Sequence, residues 1–138
     1  MRYDERDGWE ARPRWRLSRG ATIALGPGKA DLLEAIDRTG SISAAAREMR
    51  MSYRRAWLLV DTMNRSFQRP PVATSRWRGE GAWLTPEGRT ILRLYRDLEA
   101  RSVLAGRTLL SELRRLLKPV RGGVARRGSA RSRSRTGS

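Results

Sequence analysis

Residues 40–57 constrain the fold of this chain more than any other segment. They read Gly-Ser-Ile-Ser-Ala-Ala-Ala-Arg-Glu-Met-Arg-Met-Ser-Tyr-Arg-Arg-Ala-Trp. The alanine-rich part predicts a short helix over 44–49 with Ser43 as its N-cap. The small side chains of this helix permit close packing. After a turn that includes Arg50, Ser52 can cap a second helix that opens with Tyr-Arg-Arg. The segment therefore predicts two helices joined by a tight turn.

Two β-hairpins and a further helix are predicted around this unit. Alternating apolar residues across 15–25, with Gly20 at the turn, predict the first hairpin. Apolar residues at helical spacing predict a helix over 29–39. The β-forming residues at 72–76 and 82–85 flank a glycine-containing tip and predict the second hairpin, which we call the wing.

The helix capped by Ser52 is expected to run to about Phe67, with its core stripe at Ala56, Leu59 or Val60, Met63 and Phe67. We also assign Trp83 to the core. Thr85 and Pro86 have the residue types of an N-cap and a first helical position, so they predict a final helix that ends near Leu117. Its apolar stripe comprises Ile91, Leu94, Tyr95, Leu98, Leu109, Leu113 and Leu116.

These elements predict a mainly α fold with small β-hairpins. The arrangement is a winged helix-turn-helix followed by a long C-terminal dimerisation helix, since about 30 residues is long for one helix in a small domain. We expect a flexible arm over 1–13, a DNA-binding domain over 14–88, a dimerisation helix over 89–118 and a disordered basic tail over 119–138. The tail contains six arginines and no acidic residue.

The charge of the chain favours a polyanionic partner. The 138 residues carry a formal net charge of +16, and all but two of the 30 basic residues are arginine. Arginine binds phosphate and guanine edges through its planar fork, so the bias favours nucleic acid. GC-rich coding could produce the same bias, and composition alone leaves both explanations open.

Composition also excludes several function classes. The chain contains no cysteine and no histidine, which excludes disulfides, thiolate or imidazole metal sites and Ser-His-Asp triads. We expect no catalytic, cofactor-binding or metal-binding residues, and no enzyme activity. The N-terminus is too polar for a signal peptide, and the longest strongly apolar run, 56–60, is far shorter than the roughly 20 residues that span a bilayer. We expect a protein that is located in the cytoplasm, at the nucleoid, without membrane contact.

The helix-turn-helix unit supplies the candidate DNA-binding residues. In such units the second helix lies in the major groove with its N-terminal residues near base edges. This geometry assigns Tyr53, Arg54, Arg55 and Trp57 to the groove. Hydroxyls and backbone N–H groups at helix starts, and nearby arginines, suit phosphate oxygens; these positions are Ser41, Ser43, Arg47, Arg50 and Ser52. In the wing, the candidate contacts are Arg76, Trp77 and Arg78.

Each assignment has a structural alternative. The serines can serve only as caps, Tyr53 and Trp57 can be core aromatics, and the wing can be a plain surface hairpin. Arg54 and Arg55 could form a solvated face. However, arginines in the first turn of a helix lie at the positive end of the helix dipole, which is unfavourable by a few tenths of a kcal/mol. A negative partner such as DNA would offset that cost.

The sequence resembles the winged-helix domain of the molybdate-responsive regulator ModE and, more distantly, LysR-type regulators. The matching segments are residues 40–46, Met-Ser-Tyr-Arg-Arg-Ala-Trp at 51–57, and Leu-Thr-Pro-Glu-Gly at 84–88, with shorter matches between them. The resemblance implies a homodimer whose long helices pair and present two recognition helices to a palindromic site. ModE senses oxyanion through domains that follow the long helix, and only the basic tail follows it here. The wing also lacks the family's glycine-rich loop, and Arg50 occupies a turn position usually filled by glycine.

Three functions fit these observations. The first is a bacterial transcriptional regulator that binds duplex DNA as a homodimer. The second is a nucleoid-associated architectural protein of low sequence specificity, which the basic tail favours because arginine-rich segments add salt-sensitive, sequence-independent affinity. The third is an interaction module whose long helix binds an unknown protein partner.

Overall fold

The computed structural model of the chain describes residues 8–75 and 81–119. Its helices and strands follow one another in the order β1 (Leu17–Arg19), β2 (Thr22–Leu25), α1 (Pro27–Thr39), α2 (Ile42–Glu48), α3 (Tyr53–Ser66), β3 (Val72–Thr74), β4 (Ala82–Leu84) and α4 (Pro86–Leu116). Both strand pairs are antiparallel hairpins. The mainly helical fold with two small hairpins and a long last helix is therefore confirmed. No helix in the described ranges is long and apolar enough to cross a membrane.

The described residues divide into two compact units, one within Arg14–Arg101 and the other formed by residues 8–13 and 102–119. The first unit extends beyond the expected boundary at residue 88 because the start of α4 is part of its core. Ile91 and Tyr95 are buried there, and the Tyr95 hydroxyl donates a 2.9 Å hydrogen bond to the Trp15 carbonyl. Because Ile91 and Tyr95 pack in the core of their own chain, we exclude them from the predicted dimer surface.

Local signals in the sequence determine where helices α1 and α2 begin and end. Pro27 lies in the first turn of α1, and Gly40 ends that helix in the left-handed conformation at φ 71°, with its N–H bonded to the Ile36 carbonyl. The prediction that Ser43 caps α2 is wrong. Ser41 is the cap: its backbone is extended and its hydroxyl accepts a 3.2 Å bond from the Ala44 N–H, so the helix begins earlier than expected.

The core lies between α1, α2, α3, β4 and the first part of α4. Its largest fully buried side chains include Leu32, Leu33, Ile36, Met63, Leu84 and Tyr95. The predicted stripe of α3 is confirmed at Ala56, Val60 and Met63, which are buried, while Leu59 and Phe67 are partly buried against the same core.

The prediction that Trp83 lies in the core is wrong. Trp83 pairs with Ala73 across the wing hairpin and is 48% exposed, whereas its neighbours Ala82 and Leu84 are buried. Successive side chains of a strand point to opposite faces of the hairpin. Because Ala82 and Leu84 occupy the inner face, Trp83 lies on the outer one.

The junction between the wing and α4 is held by a cap and a close backbone contact. The Thr85 hydroxyl accepts a 3.1 Å bond from the Gly88 N–H and donates a 2.6 Å bond to the Pro70 carbonyl, which confirms Thr85 as the cap of α4. The Thr85 N–H also bonds to the Pro71 carbonyl. Gly88 lies so close to Pro71 that a Cβ at this position would come within 2.0 Å of the Pro71 oxygen. The absence of a side chain at Gly88 therefore permits the helix to pack here.

Candidate nucleic-acid interface

The turn between α2 and α3 is closed by two backbone hydrogen bonds around a left-handed residue. The Arg50 N–H bonds to the Arg47 carbonyl at 3.2 Å, and the Met51 N–H bonds to the Ala46 carbonyl at 3.0 Å. Arg50 lies at φ 55°, and it is the one non-glycine residue of the described ranges with a positive φ. This is the Schellman pattern, in which the left-handed position is usually glycine. An L-residue there costs on the order of 1 kcal/mol.

The first turn of α3 presents its predicted contact residues to solvent. The Ser52 hydroxyl accepts a 3.1 Å bond from the Arg55 N–H, so Ser52 is the N-cap that the sequence predicted. Tyr53, Arg54 and Arg55 are exposed, and Ala56 turns inward to the core. The capped start of α3 therefore places three consecutive predicted contact residues on the surface.

Tyr53 and Trp57 lie on the surface rather than in the core. Tyr53 is 54% exposed and Trp57 is 46% exposed, so the core-packing alternative does not hold for either residue. They are four positions apart on α3 and share one face of the helix. Leu58, which was not among the predicted site residues, is also exposed.

The arginines at the start of α3 lie in a region where the acidic side chains already have other partners. Glu48 forms an ion pair with Arg38, and Asp61 forms one with Arg65 at 3.1 Å. The first turn of α3 contains no acidic residue. Within the part of the chain that the structure describes, neither Arg54 nor Arg55 is paired with a carboxylate. Their positive charge is therefore available to a partner.

The predicted phosphate contacts of α2 lie next to each other. The Arg47 guanidinium donates a 3.4 Å hydrogen bond to the Ser43 hydroxyl, and both residues are exposed. Ser41 is half-buried and its hydroxyl is used by the cap of α2. Ser43 and Arg47 thus present polar atoms at the surface, whereas the Ser41 hydroxyl is occupied by the helix cap.

Three carboxylates of the first unit lie around one partly buried arginine on α4. Arg96 contacts Asp31 at 2.8 Å, Glu34 at 3.1 Å and Glu99 at 2.8 Å. Partial burial lowers the pKa of Arg96, but the hydrogen bonds that it donates to Asp31 and Glu99, together with the nearby carboxylate charges, outweigh burial and raise this pKa above its ordinary value. Asp31 and Glu34 of α1 and Glu99 of α4 are therefore paired within the unit. This network was not predicted, because Asp31 and Glu34 lie more than 60 positions from Arg96 in the sequence.

The base of the wing is fixed to α3 by one side chain that the sequence reasoning missed. The Asn64 amide donates to the Val72 carbonyl at 3.0 Å, and its oxygen accepts from the Val72 N–H at 3.1 Å. On the other strand, the Ala82 N–H bonds to the Gly40 carbonyl at 2.8 Å. The signal in the sequence was an amide directly after Met63, a position of the predicted core stripe of α3. The predicted wing contacts Arg76, Trp77 and Arg78 lie outside the described residues.

The predicted dimerisation residues differ in their surroundings. Leu94 is exposed and Leu98 is half-buried, while Ile91 and Tyr95 belong to the core. In the second unit Leu109, Leu113 and Leu116 are 66%, 59% and 84% exposed. Their spacing of four and three residues places them on one face of α4. This unit thus has an apolar helix face in contact with water.

The described residues contain no group of three or more histidine, cysteine, aspartate or glutamate side chains that could hold a metal ion. The site is a surface of exposed arginines, aromatic rings and helix starts. Its chemistry is that of binding a polyanion, because guanidinium groups and capped helix N-termini both favour phosphate oxygens.

Comparison with known proteins identifies relatives of the chain. No protein-family model matches it. The molybdenum transport protein ModE of Azotobacter vinelandii is 39% identical over 113 residues, which is 80% of this chain and 40% of that protein. The molybdenum-pterin-binding protein MopB of Rhodobacter capsulatus is 42% identical over 62% of this chain and 34% of MopB. The transcriptional regulator ModE of Haemophilus influenzae is 35% identical over 56% of this chain and 31% of that regulator. None of these names describes an enzyme.

Among solved structures, ArgP from Mycobacterium tuberculosis matches 64% of this chain and 30% of its own chain, with a TM-score of 0.44 and 20% identity. The chain spans between 31% and 40% of the length of the curated relatives it matches. The sequence match to ModE covers the whole helix-turn-helix region described above. The chain is therefore homologous to the N-terminal region of the ModE proteins.

Proposed function

We propose that the chain is a DNA-binding transcriptional regulator of the ModE-like winged-helix type, which binds duplex DNA with α3 in the major groove. The observation that carries this proposal is the pair of exposed arginines, Arg54 and Arg55, at the capped start of α3, neither of which is paired with a carboxylate within the described residues. The name of the Haemophilus relative, a transcriptional regulator, supports the same function.

The first turn of α3 suits the reading of base edges. An arginine can form two hydrogen bonds to guanine O6 and N7, and this pair discriminates against a wrong base. The positive end of the α3 dipole makes the location of Arg54 and Arg55 unfavourable in the free protein, and a DNA phosphate backbone would relieve that repulsion. Arg54 and Arg55 are therefore the base-reading candidates, and Tyr53 and Trp57 lie beside them.

The residues around this turn suit contacts with the DNA backbone. Arg47 and Ser43 present their polar atoms at the surface of α2, and Arg50 lies in the turn that leads to α3. Such contacts fix the register of a protein on the duplex without reading sequence. We assign Ser41, Ser43, Arg47, Arg50 and Ser52 to this role, together with Arg76, Trp77 and Arg78 of the wing.

We further propose that the regulator is a homodimer formed through α4. The exposed face of Leu109, Leu113 and Leu116 is apolar and has the spacing of a helix that packs against another helix. A second copy of the same chain offers the same face, which is the self-complementary arrangement of a two-fold interface. Two recognition helices would then meet two half-sites of a palindromic sequence.

Replacing Arg54 with alanine tests the regulator proposal. A specific site is first obtained by selecting bound sequences from random duplex DNA at near-physiological salt. We expect Arg54→Ala to weaken binding to that site by roughly 5- to 150-fold, from the roughly 1–3 kcal/mol of a bidentate base contact. Binding to unrelated duplex DNA should change only a few-fold. Fluorescence anisotropy with labelled duplexes measures both affinities.

Arg93→Ala is the matched control, because Arg93 is an exposed arginine on α4, outside the helix-turn-helix. It removes the same charge and should leave the preference for the selected site unchanged. If Arg54→Ala weakens both kinds of DNA equally, α3 does not read sequence. The second candidate, a nucleoid-associated architectural protein, would then be favoured by the net charge of +16. In that case deletion of residues 119–138 should weaken all duplexes alike and reduce the salt dependence.

Replacing Arg50 with glycine should separate stability from DNA binding. Because Arg50 lies at φ 55°, glycine should raise the free energy of unfolding by about 1 kcal/mol. The loss of the guanidinium should weaken binding to all duplexes and lower the salt slope by about one. Urea unfolding and binding at several salt concentrations measure the two effects. Arg50→Ala is the control: it removes the same charge but keeps the left-handed strain, so it should lose affinity without the gain in stability.

A further inference from the structure

An open notch lies between the start of α3 and the strands of the wing. The half-exposed rings of Tyr53 and Trp57 line it on the α3 side, and Ser75 lines it on the wing side. Ile42 and Ala82, which are both buried, supply aliphatic lining. Ser43, Thr74 and Gly81 complete it, so the notch is a small depression in which aromatic and aliphatic side chains lie beside hydroxyl groups.

The backbone on both sides of the notch is held in place, while the two rings are about half exposed to water. Trp57 and Tyr53 project from a capped helix, and the wing strands opposite them are fixed by the hydrogen bonds of Asn64 to Val72 and of Ala82 to Gly40. These hydrogen bonds fix the backbone of α3 and of the wing strands in the free protein. Apolar surface that a rigid site leaves in water favours a partner with an apolar group of matching size.

Duplex DNA offers one such group on its base edges. In the major groove, the C5 methyl of thymine is the apolar feature that distinguishes one base from another. The neighbouring Arg54 and Arg55 carry positive charge without a paired carboxylate in the described chain, so the surroundings of the notch favour the phosphate backbone on either side of a groove. The charge of Arg54 and Arg55 and the apolar lining of the notch thus both favour the major groove of duplex DNA.

We propose that Tyr53 and Trp57 determine specificity by receiving a thymine methyl group in this notch. The inference rests on the proposed function, since it requires α3 to enter the major groove. It assigns the aromatic pair to A·T positions, beside the guanine contacts proposed for Arg54 and Arg55. The two rings could alternatively donate hydrogen bonds, from the Tyr53 hydroxyl or the Trp57 indole N–H, to base or phosphate oxygens. That role would not depend on the methyl group.

The test removes the methyl group from the DNA and leaves the protein unchanged. In the selected site, each thymine is replaced in turn by deoxyuridine, which differs only by the C5 methyl. We expect the wild-type affinity to fall about 4-fold at one or two thymines per half-site, from the transfer free energy of one methyl-sized group. Competition binding with the full chain measures these ratios at one salt concentration.

Protein variants then assign the effect to the notch. With Trp57→Ala, the same thymine and deoxyuridine duplexes should bind equally, although both bind more weakly than to the wild type. Leu58→Ala is the control, because Leu58 is 49% exposed on the same helix but does not line the notch. It should keep the full methyl effect. Circular dichroism melting checks that the variants fold. If the deoxyuridine scan of the wild type shows no methyl effect at any thymine, it overturns the proposal without any variant.

The outcomes separate this inference from the proposed function. If selection yields a site that depends on Arg54 but deoxyuridine changes no affinity, the regulator proposal stands and the methyl contact is wrong. A methyl effect that persists in Trp57→Ala and in Tyr53→Ala would also overturn the assignment to the notch. If no sequence is enriched at all, the proposed function fails and this inference fails with it.

Discussion

Replacing Gly88 with alanine is expected to lower the free energy of unfolding by about 2–3 kcal/mol, the upper range for forcing an atom into a filled space. A Cβ at this position would lie 2.0 Å from the Pro71 oxygen and 2.9 Å from the Pro71 carbonyl carbon. Both are backbone atoms, so no rotation of a side chain can relieve the clash. For a domain of this size the melting temperature should fall by roughly 10–20 °C. Urea unfolding followed by circular dichroism measures the change directly.

Gly106→Ala is the matched control, because Gly106 lies in the same helix. A Cβ there would meet only the Leu110 side chain, at an ordinary contact distance of 3.6 Å. Alanine has the higher helix propensity, so this variant should gain up to about 1 kcal/mol. The two substitutions are chemically identical, but they should change the free energy of unfolding in opposite directions. Equal stability of Gly88→Ala and the wild type would contradict the close approach of α4 to Pro71.

Features that depend on neighbouring residues could be predicted from the sequence. Ser52 and Thr85 cap the helices that they were expected to cap, because an N-cap is recognised within four residues of chain. Gly40 ends α1 for an equally local reason, since its left-handed φ of 71° suits glycine. The wrong cap at Ser43 shows the limit of this reasoning: Ser41 and Ser43 both have the right residue type, and the backbone of Ser41 decides between them.

Features that depend on distant contacts could not be predicted. Trp83 has the size of a core residue, but the inner face of its strand is already occupied by Ala82 and Leu84. An apolar stripe likewise does not specify what covers it. The stripe of α4 predicted one dimer face, whereas Tyr95 belongs to the core of its own chain and Leu113 is exposed to water.

The candidate site combined both kinds of feature. The exposure of Arg54 and Arg55 follows from their position in the first turn of α3. The first buried residue of this helix is Ala56, which comes directly after them. Tyr53 and Trp57 were ambiguous because an aromatic ring at helical spacing suits a core as well as a surface. The wing lies beside α3 through the hydrogen bonds of Asn64, and together they form the notch that both rings line.

Replacing Leu113 with glutamate is expected to convert the proposed dimer into monomers. Leu113 is 59% exposed and lies between Leu109 and Leu116 on the apolar face of α4. In a two-fold interface each substitution occurs twice. Loss of at least about 1.5 kcal/mol of apolar burial per leucine therefore weakens the dimer by roughly 100-fold or more, before the cost of burying a charge is added. Sedimentation velocity over a range of protein concentrations measures the change.

Thr108→Glu adds the same charge to the same helix at an exposed position, five residues before Leu113 and on a different face. It should leave the dimer intact, so it separates a lost interface from a general effect of charge on α4. A monomeric wild type would refute the homodimer while leaving the recognition helix untested. If both variants dissociate, the face that pairs is broader than the three leucines. If only Leu113→Glu dissociates and its affinity for a palindromic site falls to that for a half-site, then dimerisation through α4 is what couples the two recognition helices.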